Sequence, residues 1–149
     1  MDGAWGGSPI IGRAARNGTL ALQFTKETST ANLIRAWESG RVLIGGRWIS
    51  GNLIVSADRI VDDWPAARPD ALDIVDLAAA IDLAPEIILV GTGETTILPD
   101  VDLMAALAAR AIGLEIMTTP AACRTYNVLV HERRRVVAAL FNKAPPSTR

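Results

Sequence analysis

Cysteine and histidine each occur once in this chain of 149 residues, as Cys123 and His131. A single thiol rules out an internal disulfide and any zinc site built on paired cysteines, and it suits a reducing compartment, so a cytoplasmic location is expected. His131 has no second ligand at helical spacing, because Glu132 points about 100° away round a helix. No metal and no cofactor are therefore expected. An excess of one charge sign is also missing. The formal net charge is −1, which leaves no basic field to draw nucleic acid or an anionic membrane. The cluster Arg133-Arg134-Arg135 is short and lacks interleaved aromatics, so it does not alter that exclusion. No apolar run reaches the roughly 18 residues that a membrane span needs.

What is present is an ordinary globular composition, half of it hydrophobic. A chain near 150 residues hides roughly two-thirds of its unfolded surface, enough for one real core. The expected organisation is a flexible arm over 1–18, a single domain over 19–141 and a flexible tail over 142–149. Arg13 and Arg16 lie in the arm, but Gly3, Gly6 and Gly7 make it a poor amphipathic helix, so a transit peptide is disfavoured.

The first half reads as β-rich. Leu20, Leu22 and Phe24 alternate with small or polar residues, and Leu33-Ile34 makes a short strand near Trp37. Val42 to Ile44 and Arg47 to Ile49 flank Gly45-Gly46, a hairpin signal, since glycines supply the positive φ of a tight primed turn. Asn52 to Val55 and Arg59 to Val61 form a further pair that ends at Trp64-Pro65. Trp37, Trp48 and Trp64 are core candidates, and an exposed Trp48 or Trp37 would suit a partner surface.

The second half alternates helix and strand. Asp73 caps a short helix with Ile74, Leu77, Ala78 and Ile81 on one face, stopped by Pro85. Ile87 to Val90 has no polar alternate residue, which predicts a strand covered on both faces. Asp100 caps the next helix, whose buried stripe is expected to be Val101, Met104, Leu107, Ala108 and Ala111, with Gly113 just past its end. Leu114 to Met117 is a strand. Thr119-Pro120 starts a helix running to about Glu132, with Thr119 as cap and the proline at the first position. Val136 to Phe141 closes the domain, in either orientation.

Candidate chemistry is sparse. Gly91-Thr92-Gly93 follows a strand, where α/β sheets place ligand loops. It lacks the third glycine of a dinucleotide fingerprint and the lysine of a phosphate loop, and Glu94 would repel a phosphate. Cys123 and His131 lie about 12 Å apart along one helix, too far to pair. No catalytic residue is assigned. Tyr126 and Asn127 read best as ties from the helix to a neighbouring loop. The alternative places them with Gly91, Thr92, Gly93, Thr119 and Cys123 around a shallow pocket.

Leu89-Val90-Gly91-Thr92-Gly93, Pro99 with Leu103 and Leu107, Ile112 to Thr119, Ala121 to Leu129 with its Arg124-Thr125-Tyr126-Asn127, and Arg135 to Leu140 follow one another in a specific order. Together with Leu53 to Trp64 they resemble the Mth domain family, a small domain family of unknown function typed by an archaeal protein. Its eukaryotic members include a mitochondrial complex I assembly factor and an adipogenesis-associated protein. The likeness runs from about Leu20 to Leu140. It implies an α/β fold of three layers with a mixed central sheet, helices packed on it and an added β-hairpin. It implies no catalytic activity. It does imply a non-enzymatic accessory role: binding a protein partner such as respiratory complex subunits, in mitochondria if the source is eukaryotic. The alternatives are a small-molecule binder or enzyme using the pocket near Gly91, Thr92, Cys123 and Asn127, and a self-associating homo-oligomer.

Overall fold

A computed structural model describes residues 30–142, and the architecture below is that of the unit beginning at Asn32. The arm expected over 1–18, the alternating Leu20, Leu22 and Phe24, and the tail beyond Asn142 lie outside the described residues.

Strands β1 (Ile34–Glu38), β2 (Arg41–Ile44) and β3 (Arg47–Ser50) form an antiparallel sheet in that order. Gly45 and Gly46 take φ of 58° and 78°, and Ile44 sits opposite Arg47. This is the two-residue primed turn that the glycine pair predicts. Strands β4 (Leu53–Ser56), β5 (Ile60–Val61), β6 (Ile87–Gly91), β7 (Gly113–Met117) and β8 (Val136–Leu140) make a second sheet in the order β5-β4-β8-β6-β7. A 3-10 helix (Pro69–Ala71) and helices α1 (Ala78–Ile81), α2 (Val101–Ala108) and α3 (Thr119–His131) complete the described elements.

Strand β6 lies inside the sheet, between β8 and the edge strand β7. Ile88, Leu89 and Val90 are fully buried, as an unbroken apolar run requires of a strand covered on both faces. It pairs in parallel with β7 and with β8, Leu89 lying opposite both Glu115 and Ala138. The last strand, whose direction the sequence leaves open, is thus parallel to β6 and antiparallel to β4. Handedness explains the layering. The chain moves one way across the sheet from β6 to β7 and back past β6 to reach β8. Two right-handed crossovers in opposite directions place their helices on opposite faces. On one face Ile54, Ile88, Val90 and Val137 pack against Trp64, Leu72, Leu77, Leu103 and Leu107. On the other, Leu53, Val55, Leu89 and Leu140 pack against Ala122, Cys123 and Tyr126 of α3, and against Val42, Ile44 and Ile49 of the three-stranded sheet.

Several local expectations are corrected. In α2 the buried residues are Leu103 and Leu107, whereas Val101 and Met104 are 71% and 45% exposed and Ala108 and Ala111 face outward. The helix is apolar on nearly every side, so periodicity alone does not choose the buried face. Past its end the left-handed residue is Ala111, at φ 57°, and Gly113 already belongs to β7. Thr118, not Thr119, caps α3, accepting from the Ala121 N–H at 3.3 Å. Asp73 does accept from the Asp76 N–H, but the turns it opens become α-helix only at Ala78. Of the tryptophans, Trp64 is a core residue, its ring 4.9 Å from that of Phe141 and its Nε1–H donating to the Asp76 carbonyl. Trp37 and Trp48 are half-buried.

Candidate functional site

The carboxyl ends of β6, β7 and β8 converge on Thr119, which is fully buried. Its hydroxyl donates to the Phe141 carbonyl at 2.8 Å and accepts from the Gly93 N–H at 2.7 Å, while its own N–H donates to the Gly93 carbonyl. The Phe141 N–H in turn donates to the Gly91 carbonyl. The crevice beyond the strand ends, where α/β sheets commonly bind ligands, is at this point filled by the start of α3. The backbone of Gly91 and Gly93 is therefore used in packing against α3 and Phe141. Thr92 folds the segment after it: its hydroxyl lies 2.6 Å from the Thr95 carbonyl and accepts from the Ile97 N–H.

Helix α3 uses its polar residues as ties. The Asn127 side chain accepts from the Ile34 N–H at 2.9 Å and donates to the Ile34 carbonyl at 2.8 Å. The Tyr126 hydroxyl donates to the Asn32 carbonyl at 2.6 Å, and the residue is fully buried. These three bonds fasten β1 and the segment before it to the helix. Burial pushes the Cys123 thiol up to about 12, against a smaller opposing pull from Arg124, so it stays protonated at neutral pH. His131 lies on the exposed last turn of the same helix. Among the described residues no group of His, Cys, Asp and Glu is arranged to hold a metal ion.

The seven residues expected around one pocket are thus distributed. Thr92 and Gly93 line a cavity of about 270 Å³ with Trp37, Glu94, Ile97 and Phe141. Cys123 and Asn127 touch a separate depression with Ile34, Pro120 and Arg124, and Trp37 stands between the two. Gly91, Thr119 and Tyr126 are interior.

A family described as "Protein of unknown function (DUF498/DUF598)" matches residues 34–141. The chain belongs to this family. A protein of Francisella tularensis subsp. holarctica named "13 kDa major membrane protein" is 31% identical over 68% of this chain and 84% of its own length. The human "NADH dehydrogenase [ubiquinone] 1 alpha subcomplex assembly factor 3" is 30% identical over 78% of this chain, which spans only 64% of that relative. The crystal structure of a protein from Bordetella parapertussis superposes with a TM-score of 0.71 at 36% identity, covering 76% of this chain and 98% of that one. The kinship implied by the ordered motifs is therefore present, and with it the mixed α/β architecture.

The hydrogen bonds and burial give the motif residues a structural reading in this chain. Gly91, Thr119, Tyr126 and Asn127 are the residues that lock strand ends, helix and outer sheet together. Sequence reasoning missed two features. Glu94 lines the cavity and accepts from the Ser39 hydroxyl of the β1–β2 turn at 3.3 Å. The second is the outer face of α2, where Val101 and Met104 stand exposed, with Leu98 exposed in the segment before the helix. The signal for it was a helix with one acidic residue, Asp102, and no polar face. Among the described residues no helix is long and apolar enough to cross a membrane.

Proposed function

We propose that this chain is a non-enzymatic accessory protein that binds a protein partner and assists the assembly of a respiratory complex. The observation that carries the reading is the exposed apolar face of α2. Val101, Met104, Ala105 and Ala108 recur at i, i+3, i+4 and i+7 and all face outward, extended by Leu98 at 71% exposure. A clustered apolar surface of this kind is characteristic of an interaction site. It adds to the hairpin surface of Trp48 and Trp37, both half-buried, with the Arg41 guanidinium 4.1 Å over the Trp48 ring.

Two further observations support a role without catalysis. The thiol is buried and protonated, and the hydroxyls at the strand ends are used in packing. The human relative's name, an assembly factor for NADH dehydrogenase, supplies the process. Deleting the gene in the source organism and resolving its respiratory complexes by native electrophoresis tests the reading. Assembled NADH dehydrogenase is expected to fall and subcomplexes to accumulate. The wild-type gene should restore assembly, and Val101→Asp with Met104→Asp should not. A normal level of the complex in the deletion strain would overturn the proposal.

A further inference from the structure

The cavity beside Thr92 has a composition that the packing of the fold does not require. Its walls are largely apolar, formed by Trp37, Pro69, Ile97 and Phe141, and among the described lining residues Glu94 alone is charged. The Trp37 Nε1–H is already donated at 3.2 Å to the side chain of Asn142, which also lines the cavity. The carboxylate is held in place. Thr92 folds the loop that carries it, Thr119 anchors the Gly93 N–H, and Ser39 reaches it from the opposite turn. No lysine or arginine among the described residues is paired with it.

A carboxylate and an indole ring on one small cavity select a cation on an apolar stem, by ion pairing and by attraction to the ring face. The size sets the scale. About 270 Å³ lies below the roughly 300–1,000 Å³ of pockets that enclose whole ligands, and it suits one long side chain. The cavity also has a continuation. A larger, more open depression of about 820 Å³ shares Ser39, Gly40 and Asn142 with it, is walled by Trp64 and Pro65, and has Asp63 as its one charged lining residue. Asp63 likewise has no basic partner among the described residues. Beyond Asp63 the next depression is lined by a second acid, Asp62, and there the first base, Arg47, enters the lining.

We infer that the Trp37–Glu94 cavity receives an arginine or lysine side chain from an extended segment of a protein partner, laid over the Ser39–Gly40 turn toward Asp63. Charge complementarity identifies the occupant: two adjoining depressions each present one acid without a basic partner among the described residues, and no base. The inference deepens the partner-binding reading by giving the partner's chemistry at a second surface.

The test is an NMR titration of the 15N-labelled full chain with the peptide acetyl-Gly-Ser-Arg-Ser-Gly-Arg-Gly-amide, with the same peptide carrying citrulline for arginine, and with agmatine. The arginine peptide should shift the Trp37 indole N–H and the Gly93 amide saturably. The citrulline peptide should bind at least about tenfold more weakly, the scale of one lost charge-assisted contact. Glu94→Gln should reduce arginine-peptide binding by a similar factor, and Asp63→Asn, which tolerates the left-handed backbone at φ 58°, by less. Unchanged amide positions elsewhere establish that the variants fold. No shift at Trp37 up to millimolar peptide, or equal binding by Glu94→Gln, would overturn the inference. Agmatine binding as tightly as the peptide would overturn the partner segment in favour of a small-amine site. None of these outcomes depends on which complex is assembled, so this site and the α2 surface fail separately.

Discussion

A Cβ placed on Gly91 would lie 2.8 Å from the Cα of Thr119, closer than such atoms approach in proteins. The φ at Gly91 is not positive, so the glycine is needed for space and not for backbone freedom. Gly91→Ala gains a few tenths to about 1 kcal/mol through the unfolded chain, but the obstacle is backbone, which cannot rotate away. Overpacking of this kind costs about 1–3 kcal/mol, so the net change is destabilising. Thr119→Val removes the hydroxyl that serves both Gly93 and Phe141 and should cost about 1–3 kcal/mol, while Thr119→Ser retains both bonds and costs less. Urea unfolding of the three variants checks the ranking. A neutral Gly91→Ala would show that α3 does not seat on the strand end as described.

How much of this was legible in the sequence follows from the range of each signal. The Gly45-Gly46 turn and the buried run Ile88 to Val90 are local patterns with one structural solution each, and both were readable. Thr119 was readable as a helix start but displaced by one position, because Thr118 and Thr119 are equally good caps. What decides between them is the Phe141 carbonyl, 22 residues away. Asn127 was readable as a tie but not its target, since Ile34 lies 93 residues earlier. The candidate site was the least legible part. Glu94 gains its meaning from Trp37 at the end of β1 and Ser39 in the turn after it, which only the tertiary fold brings to it.

The state of Cys123 makes a pH prediction. An exposed thiol in the unfolded chain titrates near 9, and burial raises it to about 12 in the fold. Between those values the folded protein keeps a proton that the unfolded chain has released. Its stabilising contribution is therefore complete below about pH 9 and is lost as pH rises toward about 12, at about 1.4 kcal/mol per pH unit. Tyr126, raised by burial and then by the negative Asp58, adds a loss of the same sign at higher pH. Urea midpoints of the wild type should fall from pH 8.5 to 10.5, more steeply than those of Cys123→Ala. At pH 8 a disulfide reagent should label the native thiol slowly and the urea-unfolded thiol fast. Rapid native labelling would revive a reactive-cysteine role.

The two faces of α2 make the last prediction. Leu103 and Leu107 lie one turn apart against the sheet, 3% and 0% exposed, while Val101 and Met104 project outward. Truncating either leucine to alanine removes buried contacts and leaves a cavity, so each should lose about 2–5 kcal/mol. Val101→Asp and Met104→Asp should each change stability by no more than about 0.5 kcal/mol, as exposed substitutions do. At position 101 the carboxylate would even meet the positive end of the helix, where it is favoured by a few tenths of a kcal/mol. The stripe expected from periodicity predicts the opposite for position 104, since an acid there would then enter the core. Unfolding curves for the four variants decide which face is inside. If Met104→Asp leaves the fold intact but abolishes respiratory-complex assembly in cells, its effect can only come from a surface that another molecule covers.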